Sequence, residues 1–191
     1  MGANIYEPHT CVCGKNVSAR RLHGLACSKS AGRQQRHALL NDMIWRAVRI
    51  ACVQAIKEPI GLLRAYEKRP YGASLIPWAK CKCLAWNITV PGTYADSHLT
   101  AISSAAGSTA SEAAIHKAAI YVSIANTHHF VPVVIETSGV FDKKAEAFLQ
   151  QVGHKCTRDD WLSNRTSYLF QQISIAILRG NAIVFHDTFA K

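Results

Sequence analysis

Apolar positions recur at helical spacing early in the chain. Leu40, Met43, Ile44, Ala47, Val48 and Ala51 fall on one face, the pattern of a helix that buries one side. This helix is predicted to start near His37. It is predicted to end before Glu58-Pro59, because the residue ahead of a proline resists the α conformation. Arg36, Arg46 and Arg49 fall off the apolar face and are expected to reach solvent or phosphate. Beyond Pro59 the pattern changes. Arg69-Pro70-Tyr71-Gly72 reads as a turn into a strand. Ala73 to Pro77 is a short extended piece, and Lys80 to Cys83 a basic turn. Leu84 to Val90 alternates with period two, which places Asn87 and Thr89 on the same face.

Residues 91–109 are rich in Ser, Ala and Gly and read as a connection. A helix is predicted from Ser111 to Thr127, with Lys117 and Tyr121 four apart on one face. Phe130 to Glu136 is a continuously apolar run, as in a buried strand. Pro132 is expected at its start or at a bulge, because proline cannot donate to a sheet ladder. Helices over Asp142–Gln151 and Arg158–Arg179 complete the pattern, with Gly153 and Gly180 as their stops.

The order helix, strand, strand, helix, strand, helix, helix favours an α/β fold: a small mixed sheet flanked by helices. The 191 residues suffice for one core and a small appended module. The expected organisation is a lead-in over 1–10, a metal-binding and basic segment over 11–36, and the α/β domain over 37–191. At 49% apolar and 18% charged residues the composition is that of a globular protein. No apolar run reaches the ~18–20 residues that span a bilayer. The N-terminus lacks a basic region followed by an apolar one. The expectation is therefore an intracellular protein, nuclear or cytoplasmic, with no membrane partner.

Charge is unevenly spread. Residues 1–90 hold 14 Lys and Arg against 4 Asp and Glu, a net of +10, whereas residues 91–191 hold 8 against 8. Between Pro8 and Asn41 there is no acid, while Lys15, Arg20, Arg21, Lys29, Arg33 and Arg36 all occur. Such a field suits phosphate contacts, and nucleic acid is the expected partner, DNA ahead of RNA. The alternative is a solvated basic surface with no partner.

The chain has seven cysteines and no secretion signal, which points to reduced thiols or metal ligation rather than disulfides. Cys11, Cys13, His23 and Cys27 supply three thiolates and an imidazole within a short stretch. That set can close a tetrahedral zinc site and fold a loop around it. Gly14 and Gly24 adjoin the ligands, where tight turns are needed. The alternative is three free thiols and a surface histidine. Cys81 and Cys83 repeat the spacing of Cys11 and Cys13 but have no second pair nearby. On pattern alone, Glu58 reads as a surface acid at a helix end, Lys117 as a solvated lysine and Tyr121 as a half-buried aromatic.

These features in their order resemble the C-terminal region of non-LTR retrotransposon proteins. There a CCHC knuckle precedes a restriction-endonuclease-like domain of the PD-(D/E)XK type, downstream of a reverse transcriptase. The resemblance is carried by Cys11, Cys13, His23 and Cys27; by Gly32-Arg33 and Arg36-His37 leading to Asn41; and by Glu58-Pro59 and Lys68-Arg69-Pro70-Tyr71-Gly72. It continues through Trp86-Asn87-Ile88-Thr89-Val90, Lys117 with Tyr121, and Pro132 to Gly139, and so covers most of residues 11–180. It implies zinc, DNA binding and a nuclease fold, with Glu58 and Lys117 as remnants of a catalytic site.

Two positions depart from the family pattern. Arg-Pro-Asp-Gly is here Arg69-Pro70-Tyr71-Gly72, and Trp-Asp-Val-Thr is Trp86-Asn87-Ile88-Thr89. Both metal-binding aspartates are replaced, and a neutral amide or a phenol is a poor ligand for a hard dication. Mg²⁺ or Mn²⁺ is expected only if some cleavage survives. Asp96 and Glu136 are the acids expected to substitute if the fold brings them close. The expectation is an endonuclease-like, nucleic-acid-binding domain with impaired catalysis. The alternatives are a non-catalytic DNA- or RNA-binding module, or a degenerate element-derived product without selected function.

Overall fold

A computed structural model describes residues 7–19, 22–27, 29–62, 69–93, 106–156 and 164–189. Its chain begins with a two-stranded antiparallel hairpin, β1 (His9–Thr10) and β2 (Asn16–Val17), followed by a short helix, α1 (Leu22–Ala26). Helix α2 (Ala31–Ile50) leads to three antiparallel strands: β3 (Ala55–Lys57), β4 (Gly72–Ala79) and β5 (Lys82–Thr89). Helices α3 (Ser108–Ile120) and α4 (Val122–Thr127) carry the chain over to β6 (His129–Val134), which pairs parallel to β5. Helices α5 (Lys143–Lys155) and α6 (Arg165–His186) follow. The four-stranded order is β3-β4-β5-β6, so the expected α/β fold with a mixed sheet between helices is the one observed.

The alternation along β5 divides the core. Leu84, Trp86, Ile88 and Val90 face a large cluster with Leu40, Ile44 and Val48 of α2, Phe148 and Leu149 of α5, and Ile173 and Ile177 of α6. Ala85 faces the other side, against Tyr121 and Ile124. Ala110 and Ala114 of α3 cover Val134 on that side as well.

Several sequence expectations need correction. Helix α2 starts six residues before His37, so the boundary expected at residue 36 falls inside it. It also stops earlier than predicted. Cys52 takes a left-handed φ of 60°, and the chain then extends into β3. Glu58 therefore lies beyond the end of a strand and not at a helix end. Its own φ is 49°, and its N–H donates to the Tyr71 carbonyl at 3.0 Å. The single helix expected over 111–127 is divided at Tyr121, whose φ is −103°. Pro132 lies within β6, paired with Asn87. It is tolerated there because β6 is an edge strand among the described residues, where a missing donor costs no ladder bond.

Gly153 and Gly180 do not stop helices. Each lies inside one, at a close approach. A side chain at Gly153 would meet Thr166, with Cα only 2.8 Å away, and one at Gly180 would meet the Arg36 stem at 2.6 Å. The last helix thus runs on to His186, while the start expected near Arg158 lies outside the described residues. Gly72 serves packing too, because the Trp86 indole on the paired strand occupies the space a Cβ would need. The tight hairpin at Lys80-Cys81 has φ of 48° and 59°, as a two-residue turn of this twist demands even without glycine.

Candidate functional site

The cleft at one end of the sheet is assembled by α2, β4, β5 and α3. On α2, Arg33, His37 and Asn41 are spaced by four and lie on one face. Asn41 fastens this helix to the sheet. Its Nδ2 donates to the Tyr71 carbonyl at 3.0 Å, and its Oδ1 accepts the Trp86 indole N–H at 3.0 Å. Tyr71, at the start of β4, stacks near His37 with ring centroids 6.3 Å apart. Together Arg33, His37, Tyr71, Thr89 and Lys117 line a cavity of about 380 Å³.

The expected site residues are placed as follows. Tyr71 and Lys117 line the same cavity. Asn87 lies under the site and is 3% exposed. Its Nδ2 donates to the Tyr121 hydroxyl at 3.0 Å, Tyr121 in turn donates to the Arg69 carbonyl at 3.2 Å, and Thr89 donates to Asn87 Oδ1 at 3.4 Å. Glu58 is exposed beside Tyr71. Burial first, and then the Glu58 charge, raise the Tyr71 phenol above its ordinary pKa. Burial and Tyr71 do the same to Tyr121.

Glu136 does not replace the missing carboxylates. Its oxygens accept the Ala110 N–H at 3.0 Å and the Thr93 and Ser138 hydroxyls at 3.1 and 3.0 Å, so it fastens the start of α3. Asp96 lies outside the described residues.

Of the expected phosphate-contacting residues, Lys15 and Lys29 are exposed and Arg33 faces the cavity. Arg20 and Arg21 lie outside the described residues. Arg36 is a correction: it is 1% exposed, crosses Gly180, and donates from Nη1 to Asn181 Oδ1 at 2.6 Å. Burial, then the Arg33 charge, bring its guanidinium down to about 10. His37 carries part of the sequence resemblance, but no site role is expected of it there. Its signal was the spacing of four from Arg33 and to Asn41. Burial, followed by the charges of Arg36, Arg33 and Lys117, depresses its pKa to about 4.

The N-terminal module holds a second constellation. The β1–β2 turn closes with Gly14 N–H to the Cys11 carbonyl at 2.7 Å, and Gly14 has φ 86°. This turn presents Cys11 and Cys13 to His23 on α1 and Cys27 just after it. The four ligand atoms lie within 4.8 Å of one another, with Cys11 and Cys27 sulfurs 3.6 Å apart and Cys13 Sγ 3.2 Å from His23 Nε2. Metal–sulfur bonds of ~2.3 Å in a tetrahedron put sulfurs ~3.8 Å apart, so the set fits a tetrahedral ion such as zinc. Burial pushes the Cys11 thiol up to about 11, and a thiolate there calls for a cation beside it. Among the described residues, Cys81 and Cys83 join no such group.

The module is seated on the end of α6. Asp187 Oδ2 accepts from the Gly32 N–H at 2.7 Å and from the Ser30 hydroxyl at 3.1 Å. His9 Nε2 hydrogen-bonds the Thr188 hydroxyl at 3.0 Å, and its ring stacks on Phe189 at 4.3 Å. Among the described residues no helix is long and apolar enough to cross a membrane.

Fold and site together define an α/β protein with a mixed four-stranded sheet and a Cys/His cluster able to hold a metal ion. Compared with known proteins, the chain matches no family model and no curated protein.

Proposed function

We propose that this chain is a nucleic-acid-binding domain shaped like a PD-(D/E)XK nuclease, of the kind carried by non-LTR retrotransposon proteins, with its catalytic metal site disabled. The observation that carries the reading is the fate of Asn87. It sits on the strand where the nuclease pattern wants a carboxylate, and its amide is buried and committed to Tyr121. Tyr71 replaces the other aspartate, and Glu58 is exposed at the margin. One exposed carboxylate seldom holds a catalytic magnesium. Lys117 and the basic α2 face keep the surroundings attractive to phosphate. The Cys11, Cys13, His23 and Cys27 cluster holds a structural zinc, which fixes the basic N-terminal module.

A plasmid-nicking assay with magnesium or manganese tests the loss of catalysis. The wild type is expected to bind DNA without nicking it, and the double substitution Tyr71→Asp, Asn87→Asp is the candidate for recovery. Efficient wild-type nicking that Glu58→Ala abolishes overturns the reading. Binding to a short duplex should weaken steeply with salt, as counterion release requires. Affinity that is flat in salt removes the nucleic-acid partner.

A further inference from the structure

The cavity beside Tyr71 has reversed the charge its position calls for. A nuclease site of this type is lined by acids that hold cations. Here Arg33, His37 and Lys117 line it together with Tyr71 and Thr89, and among the described residues no carboxylate lines it. We infer that this cavity is a metal-independent phosphate site, in which Arg33 and Lys117 hold the phosphate oxygens directly and His37 donates a further hydrogen bond.

Three observations support this. The first is convergence. Arg33 and His37 arrive on one face of α2 and Lys117 on α3, 80 residues beyond His37 along the chain, and all meet one volume of about 380 Å³. That is near the small end of ligand pockets, enough for a phosphate with part of its nucleotide.

The second is the His37 imidazole. Its Nδ1 is buried and has no hydrogen-bond partner among the described residues. A buried polar atom left unpaired costs free energy that a ligand oxygen would recover. The third is electrostatic. Arg33, Arg36 and Lys117 all act on His37 in the sense that keeps it neutral. An anion among these cations relieves their repulsion and favours the charged, doubly donating imidazolium. Glu58, whose charge acts on Tyr71, is exposed and is not among the residues that line the cavity.

The loss of both aspartates then has a positive sense. Carboxylates at 71 and 87 would repel a phosphate unless a dication stood between. Tyrosine and asparagine remove that requirement. The inference rests on the proposed function for the source of the phosphate and for the comparison with an acid-lined site, and on the cavity's own residues for the rest. A nucleic-acid terminus or backbone and free inorganic phosphate share the recognising chemistry.

The test uses the full chain in a phosphate-free buffer with EDTA, titrated with inorganic phosphate while the His37 imidazole signals are followed by NMR. A saturable shift of these signals is expected, and Arg33→Gln or Lys117→Gln should weaken it about tenfold or more. Lys143→Gln on α5 is the control and should leave it unchanged. Parallel arms use one short duplex with and without a 5′-phosphate. Tighter binding of the phosphorylated form, lost in Lys117→Gln, places a terminal phosphate in the cavity. Equal binding of both forms, weakened by Lys117→Gln, places the backbone there.

No His37 shift with phosphate, together with duplex binding indifferent to both substitutions, overturns the inference and leaves the proposed function standing. A phosphate shift without any duplex binding does the reverse. Should Arg33→Gln fail to fold, the wild-type titration and Lys117→Gln decide alone.

Discussion

The Asn87 amide donates to the Tyr121 hydroxyl at 3.0 Å, and Tyr121 passes its own proton on to the Arg69 carbonyl. An aspartate at 87 cannot donate, and the single Tyr121 proton cannot serve both acceptors. Asn87→Asp should therefore destabilise the metal-free protein by about 1–3 kcal/mol near neutral pH. Burial raises a carboxyl's pKa in the folded state, so the folded protein binds more protons than the unfolded one. Stability of the variant should then fall as pH rises past the ordinary carboxyl range. Urea denaturation at pH 4 and pH 8 measures this. Equal wild-type and variant stabilities at pH 8 would show that the Asn87–Tyr121 bond contributes nothing.

His37 gives the wild type its own acid sensitivity. Its pKa of about 4 lies below the ordinary 6.5. The folded state thus favours the neutral ring, and this contribution is fully present above pH 6.5. It is lost as pH falls from 6.5 towards 4, by at most about 3 kcal/mol at ~1.4 kcal/mol per unit. His37→Gln should flatten the stability curve over that window relative to wild type. Parallel curves for the two proteins would contradict the assignment.

Elemental analysis of the purified chain should return about one zinc per molecule, as four ligands in one tetrahedral set require. Cys27→Ser should lose it. The effect should reach beyond the module, because His9 of β1 and Gly32 at the start of α2 are hydrogen-bonded to Thr188 and Asp187 at the end of α6. Hydrogen exchange should rise over residues 9–27 and at Asp187 and Thr188, with the β5 and β6 amides still protected. Full metal retention in Cys27→Ser would exclude this thiol as a ligand.

Arg36 and Asn181 form a buried polar contact across the core. Asn181 also donates to the Thr137 carbonyl at 2.7 Å. Asn181→Ala removes both bonds and should cost about 2–4 kcal/mol. Arg36→Met keeps the stem that fills the space over Gly180 and discards the charge, and it should be near neutral or mildly stabilising. Thermal denaturation of the two variants separates these outcomes. A severe loss in Arg36→Met would assign the guanidinium a larger role than its hydrogen bond to Asn181.

Local patterns were the most legible. The alternation from Leu84 to Val90 put Trp86 inside and Asn87 with Thr89 on one face, as found. The Cys/His spacing anticipated a set of ligands that do converge. What the sequence hid was long-range. Arg36 is in helical register with Leu40 and Ile44, but its charge argued for the surface. Its burial depends on Gly180 leaving room and on Asn181, 145 positions away, supplying an acceptor. The same distance effect disguised Gly153 and Gly180, which lack side chains to admit neighbours and not to end helices. Glu58-Pro59 looked like a helix end because the helical pattern faded slowly. The buried alternation of Ala51, Val53 and Ala55 was the only trace of the strand that replaced it.

The contact between His9 and Thr188 joins positions 179 residues apart. Contacts of such separation are made late, since the intervening chain must first be ordered. In a growing polypeptide the hairpin and α1 emerge well before α6, on which they dock. Throughout that interval they lack their neighbour. All four Cys/His ligands lie within residues 11–27, so a metal ion captured early would hold this module in shape until the helix it docks on has been made.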